Sequence, residues 1–370
     1  MKMDQQYLIS FLALFFMISS FFSFLINWLF LKFSFNLGAR DRSEMEQVRW
    51  SHSIKPAIGG ISFFIVFLIS ISIIGTLPRQ SDYFLDKHLI GIIASSCLGF
   101  ILGLADDAYN TNPLAKFIAQ LSCAFILIIS DVYIPVTGNH AFDFMVTTIW
   151  VIGLMNSINM LDNMDGITTT ISMCIIAGLI AVVAISGHSL SSFYLIMLVG
   201  VFGALTGFLY FNWNPSRIYM GDTGSQFLGV FLASTSIMFF WDYKNEASPQ
   251  LLQIKQFVVP MLFFIVPLID TTTVTIRRLM RKQSPFVGGK DHITHHLAYL
   301  GLSDKMVALV LISVSLLSLP LVSLIITDVI PWTFEVTIAA FVYFFLLLIC
   351  FQFLYNKGKR MHEAKAKDKL

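Results

Sequence analysis

Asn156, Asn159, Asp162 and Asp165 recur every third residue in NSINMLDNMDGI, inside a chain otherwise built mostly from Phe, Leu, Ile and Val. Three-residue steps keep near neighbours on one helical face. Such an array can accept from sugar or base N–H groups, donate amide protons to phosphate and support a hydrated cation. The plainer alternative is an Asn/Asp-rich turn that ends one helix and caps the next through Asp165, and the two uses are compatible. Four more polar clusters stand out: RWSHSIKPAIGG (49–60), GLADDAYN (103–110), FNWNPSRIYMGDTGS (211–225) and SPFVGGKDHITHHL (284–297).

Each cluster suggests a chemistry. Asp106 and Asp107 end an apolar run, and adjacent side chains on a helix project about 100° apart, so the two carboxylates do different jobs. Asp222 lies between glycines that let a ligand approach the backbone. Mg²⁺ takes one or two carboxylates and completes its octahedron with waters and substrate phosphates, which Asp222 suits. His292, His295 and His296 share a helical face, but no Cys or well-spaced acid completes a zinc set and no HExxH is present. Arg277, Arg278, Arg281, Lys282 and Lys290 in the same region make an anion the better guest, bound by imidazole and guanidinium donors. Cys97, Cys123, Cys174 and Cys350 fall inside apolar runs without metal-like spacing.

The elements that position these clusters are membrane helices. The 370 residues are 56% hydrophobic and 12% charged, against about 25% charged in soluble chains. A hydrocarbon core about 30 Å thick needs roughly 20 apolar residues per helix. Eleven such runs, the first near 7–31 and the last near 331–355, predict an all-α polytopic membrane protein of about 11 transmembrane helices. The first run is too long for a signal peptide and reads as a retained helix. All Lys and Arg except Lys2, Arg79, Lys87, Lys244 and Lys255 fall on one alternating set of loops. The positive-inside rule then places those loops, the C-terminus and all five clusters in the cytoplasm, with the N-terminus outside. Residues 1–355 form the integral membrane domain, and 356–370 read as a solvated basic tail near anionic lipid. A secondary transporter is the rival, but it would place ionisable groups near the bilayer midplane on broken helices, often in inverted repeats. An intramembrane aspartyl protease would want GxGD where this chain has YMGD.

Together the motifs over residues 49–302 resemble the polyprenyl-phosphate N-acetylhexosamine-1-phosphate transferases, the family of the phospho-MurNAc-pentapeptide and GlcNAc-1-phosphate transferases. By that resemblance Asp106 and Asp107 match the family's aspartate pair, the first proposed as a base on the lipid phosphate; positioning that phosphate or a cation would serve equally. The NxxNxxDGxDG pattern falls on Asn156, Asn159, Asp162, Asp165 and Gly166, with Asn163 where Gly is usual. The resemblance makes Asp222 the Mg²⁺ ligand, with Mn²⁺ able to substitute. It makes Asn212 and Tyr219 uridine contacts, Tyr219 replacing the usual Phe as a stacking ring. Lys55 with Gly59 and Gly60 resembles the early basic segment near the nucleotide. The chain has HxxHH where close relatives often have HxHH, so Lys290, His292, His295 and His296 are assigned to the pyrophosphate as a group. Asp106, Asp107, Asp165 and His292 are the implied catalytic set.

The implied reaction joins a UDP-N-acetylhexosamine to undecaprenyl or another polyprenyl phosphate, releasing UMP and opening a cell-surface glycan pathway. The implied setting is the bacterial inner membrane, with lipid as the surrounding partner, a homodimer as the assembly and no nucleic acid. The basic loop and SPF segment look more like the GlcNAc-type branch than the peptidoglycan one.

Overall fold

The computed structural model describes residues 5–33, 55–76, 86–186, 191–241, 254–284, 289–326, 329 and 331–367. These form thirteen α-helices: α1 (Gln5–Phe33), α2 (Gly59–Thr76), α3 (Lys87–Tyr109), α4 (Pro113–Ile129), α5 (His140–Leu161), α6 (Ile167–Ser186), α7 (Ser191–Asn212), α8 (Gly221–Ser236), α9 (Lys255–Phe263), α10 (Ile265–Met280), α11 (Ile293–Tyr299), α12 (Asp304–Ile326) and α13 (Phe334–Lys367). Among the described residues no strand occurs. Among the described residues eight helices are long and apolar enough to cross a membrane, the bent α9–α10 pair is a ninth when counted as one span, and α2 and α4 are shorter apolar helices. These eleven places coincide with the eleven apolar runs. Residues 49–54 of the first polar cluster and 285–288 of the last lie outside the described residues.

Local sequence sets several helix starts. Asp86 accepts from the amides of His88 and Leu89 at the start of α3. Asn112 caps α4 just before Pro113, whose missing N–H costs nothing at that position. Asn139 caps α5. Each such cap contributes about 1 kcal/mol. Two helices near the polar clusters are capped differently, by a carboxylate from another helix: Asp107 of α3 serves α8, and Asp270 of α10 serves α11.

The helix at the centre is α8, buried from Thr223 to Ser236 and packed against α2, α3 and α5. Its small residues let neighbouring backbones come close. A Cβ on Gly60 would collide with the backbone of Gly224, and one on Gly103 with the carbonyl of Asp222. Phe227 of α8 meets Phe63, Phe64 and Phe67 of α2 with ring centroids 5.2–6.0 Å apart. The N-terminus of α8, and Asp222 with it, is thereby held against the end of α3.

Two elements depart from straight spans. The α9–α10 pair bends by 87° at Phe264, where Pro267 in the first turn of α10 has no N–H to give the Phe263 carbonyl. Helix α13 runs 34 residues, about 51 Å at 1.5 Å per residue, well beyond a hydrocarbon core. It passes through the 355/356 boundary unbroken, and one face of its later turns packs on α11 while residues 359–364 are exposed. Gly358 abuts the carbonyl of His296, Tyr355 lies 3.8 Å from the His296 ring, and His362 stacks on Tyr299 at 4.1 Å. Residues 355, 358 and 362 share one helical face, which Lys and Arg on the other faces obscure in the sequence.

Candidate active site

The 156–166 segment is the hub of the site, and each member of its array has a different partner. Asn156 Nδ2 donates to Gln120 of α4 at 2.9 Å, and Gln120 donates to Gln226 of α8 at 3.1 Å. Asn159 Nδ2 donates to Asp222 Oδ1 and to Ser225 Oγ, both at 2.8 Å. Asp162 is the C-cap of α5. Asn163 Oδ1 accepts from the Thr294 hydroxyl of α11 at 2.7 Å. Asp165 accepts from the Ser216 amide and hydroxyl at 2.9 and 2.7 Å and from Asn214 at 3.1 Å. Interhelical hydrogen bonds in membrane proteins average only about 0.6 kcal/mol. Their use here is to fix where α4, α5, α8, α11 and the 213–220 loop meet.

The carboxylate centre lies where α3, α4, α5 and α8 converge. Asp107 accepts from the amides of Asp222 and Thr223 at 3.0 and 2.8 Å and from the Thr223 hydroxyl at 2.6 Å. It is the cap of α8 and fixes the backbone that carries Asp222. Asp106 is buried; its Oδ1 accepts from the Thr111 amide and hydroxyl at 2.8 and 2.7 Å, and its Oδ2 pairs with Lys116. Lys116 also stands 3.7 Å from Asp222 Oδ2, and the Asp222 side chain keeps 28% of its exposure. Two carboxylates therefore face one ammonium, and only one of them reaches solvent.

Among the described residues no three His, Cys, Asp or Glu converge as a metal cluster. Asp222 with Asp106 beside it still fits a sparsely ligated hard cation, because Mg²⁺ fills most of its shell with water and substrate phosphate.

The second wall comes from the 55–60 and 213–220 segments. Lys55 Nζ donates to Ser216 Oγ at 3.0 Å, lies 3.7 Å from Asp165 and sits 4.9 Å above the Tyr219 ring. Tyr219 is pinned by backbone bonds to Pro56 and Gly59. Asn212 is 2% exposed; it accepts from Thr169 at 2.7 Å and donates to the Ile218 carbonyl at 3.1 Å. It shapes the loop from beneath, whereas Tyr219 and Lys55 form its partly exposed surface.

The third wall is α11 with its buttresses. His292 begins the helix, its Nδ1 2.8 Å from Asp270 Oδ2. Arg278 grips Asp291 through two bonds of 2.9 and 2.6 Å. Burial would raise the Asp291 carboxyl, but the guanidinium fork holds it below the ordinary carboxylate range. Arg277 is tied to Thr273, lies 3.6 Å over Tyr355 and leaves Nη1 without an acceptor. Burial, then the neighbouring His292, lowers His295 to about 3; burial, then Arg277, lowers His296 to about 4. Both imidazoles are neutral at neutral pH. Lys290 is exposed at the edge of this wall.

The candidate catalytic, metal and substrate residues thus lie on three walls joined by 156–166. Lys116, Gln120, Ser216 and Asp270 are among the contributors that the sequence did not single out. Lys116 was legible only as a loop charge, although it follows the Asn112–Pro113 helix start. Asp270 had the clearest signal, a lone acid inside an apolar span, since ionisable groups at that depth are costly and usually functional.

The fold and site define a multi-pass membrane protein with a carboxylate and lysine centre at one end of its helices, suited to handling phosphates. The model for glycosyl transferase family 4 matches residues 89–240, the stretch from α3 through α8. A probable undecaprenyl-phosphate N-acetylglucosaminyl 1-phosphate transferase of Bacillus subtilis is 29% identical over 289 residues, 76% of this chain and 75% of the relative. The decaprenyl-phosphate N-acetylglucosaminephosphotransferase of Mycobacterium tuberculosis is 25% identical over 280 residues, covering 69% and 68%. The phospho-N-acetylmuramoyl-pentapeptide-transferase of Helicobacter hepaticus is 31% identical over 224 residues, covering 50% and 60%. The chain is similar to the polyprenyl-phosphate N-acetylglucosamine-1-phosphate transferases, and its α3–α8 stretch matches glycosyl transferase family 4.

Proposed function

We propose that the protein transfers N-acetylhexosamine-1-phosphate, with N-acetylglucosamine as the favoured sugar, from its UDP donor to undecaprenyl or a related polyprenyl phosphate at the cytoplasmic membrane face. The observation that carries this is the meeting of Asp106, Lys116, Asn159 and Asp222 at one end of four packed helices. An oxygen of the lipid phosphate attacks the β-phosphorus of the donor. The new P–O bond forms as the bond from that phosphorus to the bridging oxygen breaks, and UMP leaves with the electron pair. A phosphate monoester has its second pKa near about 6, so the nucleophile is ionised without help. Asp106, with both oxygens already engaged, then serves as the anchor of Lys116, and Lys116 offsets negative charge between the two phosphates. When bound, Mg²⁺ held by Asp222 with Asp106 beside it would supply further charge neutralisation of the pyrophosphate. Lys55 and the Tyr219 ring suit the nucleotide, and Arg277 with His292 suit the pyrophosphate from the opposite wall.

A groove of about 470 Å³ between α5 and the bent α9–α10 pair fits the lipid tail. Its lining is mostly apolar, including Val146, Ile149, Trp150, Phe257, Met261 and Leu268, and at the end nearer the site it reaches Ser157 and Thr271. Those two hydroxyls bond each other at 2.7 Å. The isoprenoid can lie there in contact with bilayer while its phosphate turns toward the carboxylate centre. The test offers purified protein undecaprenyl phosphate and a panel of UDP-sugars with Mg²⁺ and measures UMP. Release that needs both substrates, greatest with UDP-N-acetylglucosamine, is expected. No release with any UDP-N-acetylhexosamine would overturn the reading.

A further inference from the structure

Asp270 is 2% exposed on α10 and spends both oxygens on α11. Oδ1 accepts from the Ile293 amide at 2.9 Å and Oδ2 from His292 Nδ1 at 2.8 Å. One carboxylate therefore caps a helix and holds an imidazole. Asp107 shows what a helix cap without a ring looks like, and Asp143 shows a carboxylate tying down loop amides in the same way. Asp143 gathers the amides of Val136, Thr137 and Gly138 with one hydroxyl, and no histidine is among its partners. A carboxylate needed only to cap α11 would not also require a ring in its other lone-pair direction.

We propose that Asp270 is a positioning residue for the transfer reaction, fixing the His292 ring so that both nitrogens donate, Nδ1–H to the carboxylate and Nε2–H to a phosphate oxygen. This rests on the transferase reading and adds a residue to it. A partner on one ring nitrogen sets the role and orientation of the other, and removing such partners from metal-ligating histidines costs roughly ten- to a hundredfold, which sets the scale here. The charged and titratable groups around His292 are Asp270 and Arg277 from α10 and Asp291 and His295 from its own segment. Thr294, held by Asn163, fixes the same turn from the 156–166 side.

Asp270→Asn separates the two duties. Its Oδ1 can still accept from Ile293, so the cap survives, but its Nδ2–H₂ meets Nδ1 as a donor, and the ring can no longer donate from both nitrogens. The expected result is unfolding near the wild-type temperature, a fall in kcat of about tenfold to a hundredfold with little change in KM for the UDP-sugar, and a displaced pH–kcat profile. Asp270→Glu should restore part of the rate. Asp270→Asn combined with His292→Gln should be no slower than His292→Gln alone, because one residue acts through the other. Wild-type-like kcat and pH profile in Asp270→Asn would overturn the inference. So would a rate loss matched by lost folded protein with the pH profile unmoved, which marks a cap only. If wild-type protein releases no UMP, the transferase reading falls first and takes this inference with it. Wild-type turnover with an indifferent Asp270→Asn defeats the inference alone.

Discussion

Asp222 shows how a single side chain depends on others for its meaning. Its backbone is held by Asp107 and its Oδ1 by Asn159, which leaves Oδ2 beside Lys116 and open to solvent. Asp222→Asn keeps the shape and removes the charge. It should leave the protein monodisperse by size-exclusion chromatography and cut Mg²⁺-dependent UMP release by at least about a hundredfold, in line with the loss of a ligand or a charge-stabilising group at a phosphoryl site. Turnover at the wild-type rate would remove the metal assignment. At this scale the sequence showed which residue types were out of place in a membrane, and Asp106, Asp165, Asp222 and His292 stood out. It could not show that Asp107 faces backbone amides or that Asn212 lies beneath its loop, because partner and burial depend on helices that meet only in three dimensions.

At the scale of elements, α11 is seven residues long and could not persist alone, since helices shorter than about 12–15 residues are marginal in water. It is held by the Asp270 cap, the Arg278–Asp291 fork and the docked end of α13. Gly358→Val would drive a side chain into the His296 carbonyl and should lower UMP release several-fold while exposing residues 357–367 to protease; Lys359→Ala, on the exposed face, should do neither. The histidines of α11 add a pH dependence. An unfolded histidine titrates near 6.5, whereas His295 and His296 are lowered to about 3 and about 4. Between those values the unfolded chain binds more protons, so the contribution of these buried rings is complete above about pH 6.5 and is lost as pH falls through 4 and 3. Asp291, held low, acts in the same direction at more acidic pH. The unfolding temperature in detergent should therefore drop from pH 7.5 to pH 5, and an unchanged temperature would contradict the burial of these rings.

For the whole molecule, the groove along α5 joins the lipid phase to the polar end of the bundle. A Cβ at Gly153 would meet nothing within 4 Å, and Gly153 lines that groove. Gly153→Phe should thus fill it without straining the helix, raising KM for polyprenyl phosphate while KM for the UDP-sugar stays the same. Equal effects on both substrates would place the lipid elsewhere. The eleven apolar runs and the five polar clusters were determined by sequence alone, because hydrocarbon thickness and the cost of burying charge act on each segment independently of its neighbours. The tertiary structure decided which clusters touch. It placed Lys116 between two aspartates, tied Asn163 to Thr294, joined Asp270 to His292 and carried α13 past residue 355 onto α11. Those pairings join residues 10 to 131 positions apart, and the close packing around α8 and the bend at Phe264 set them. No local periodicity carries that information.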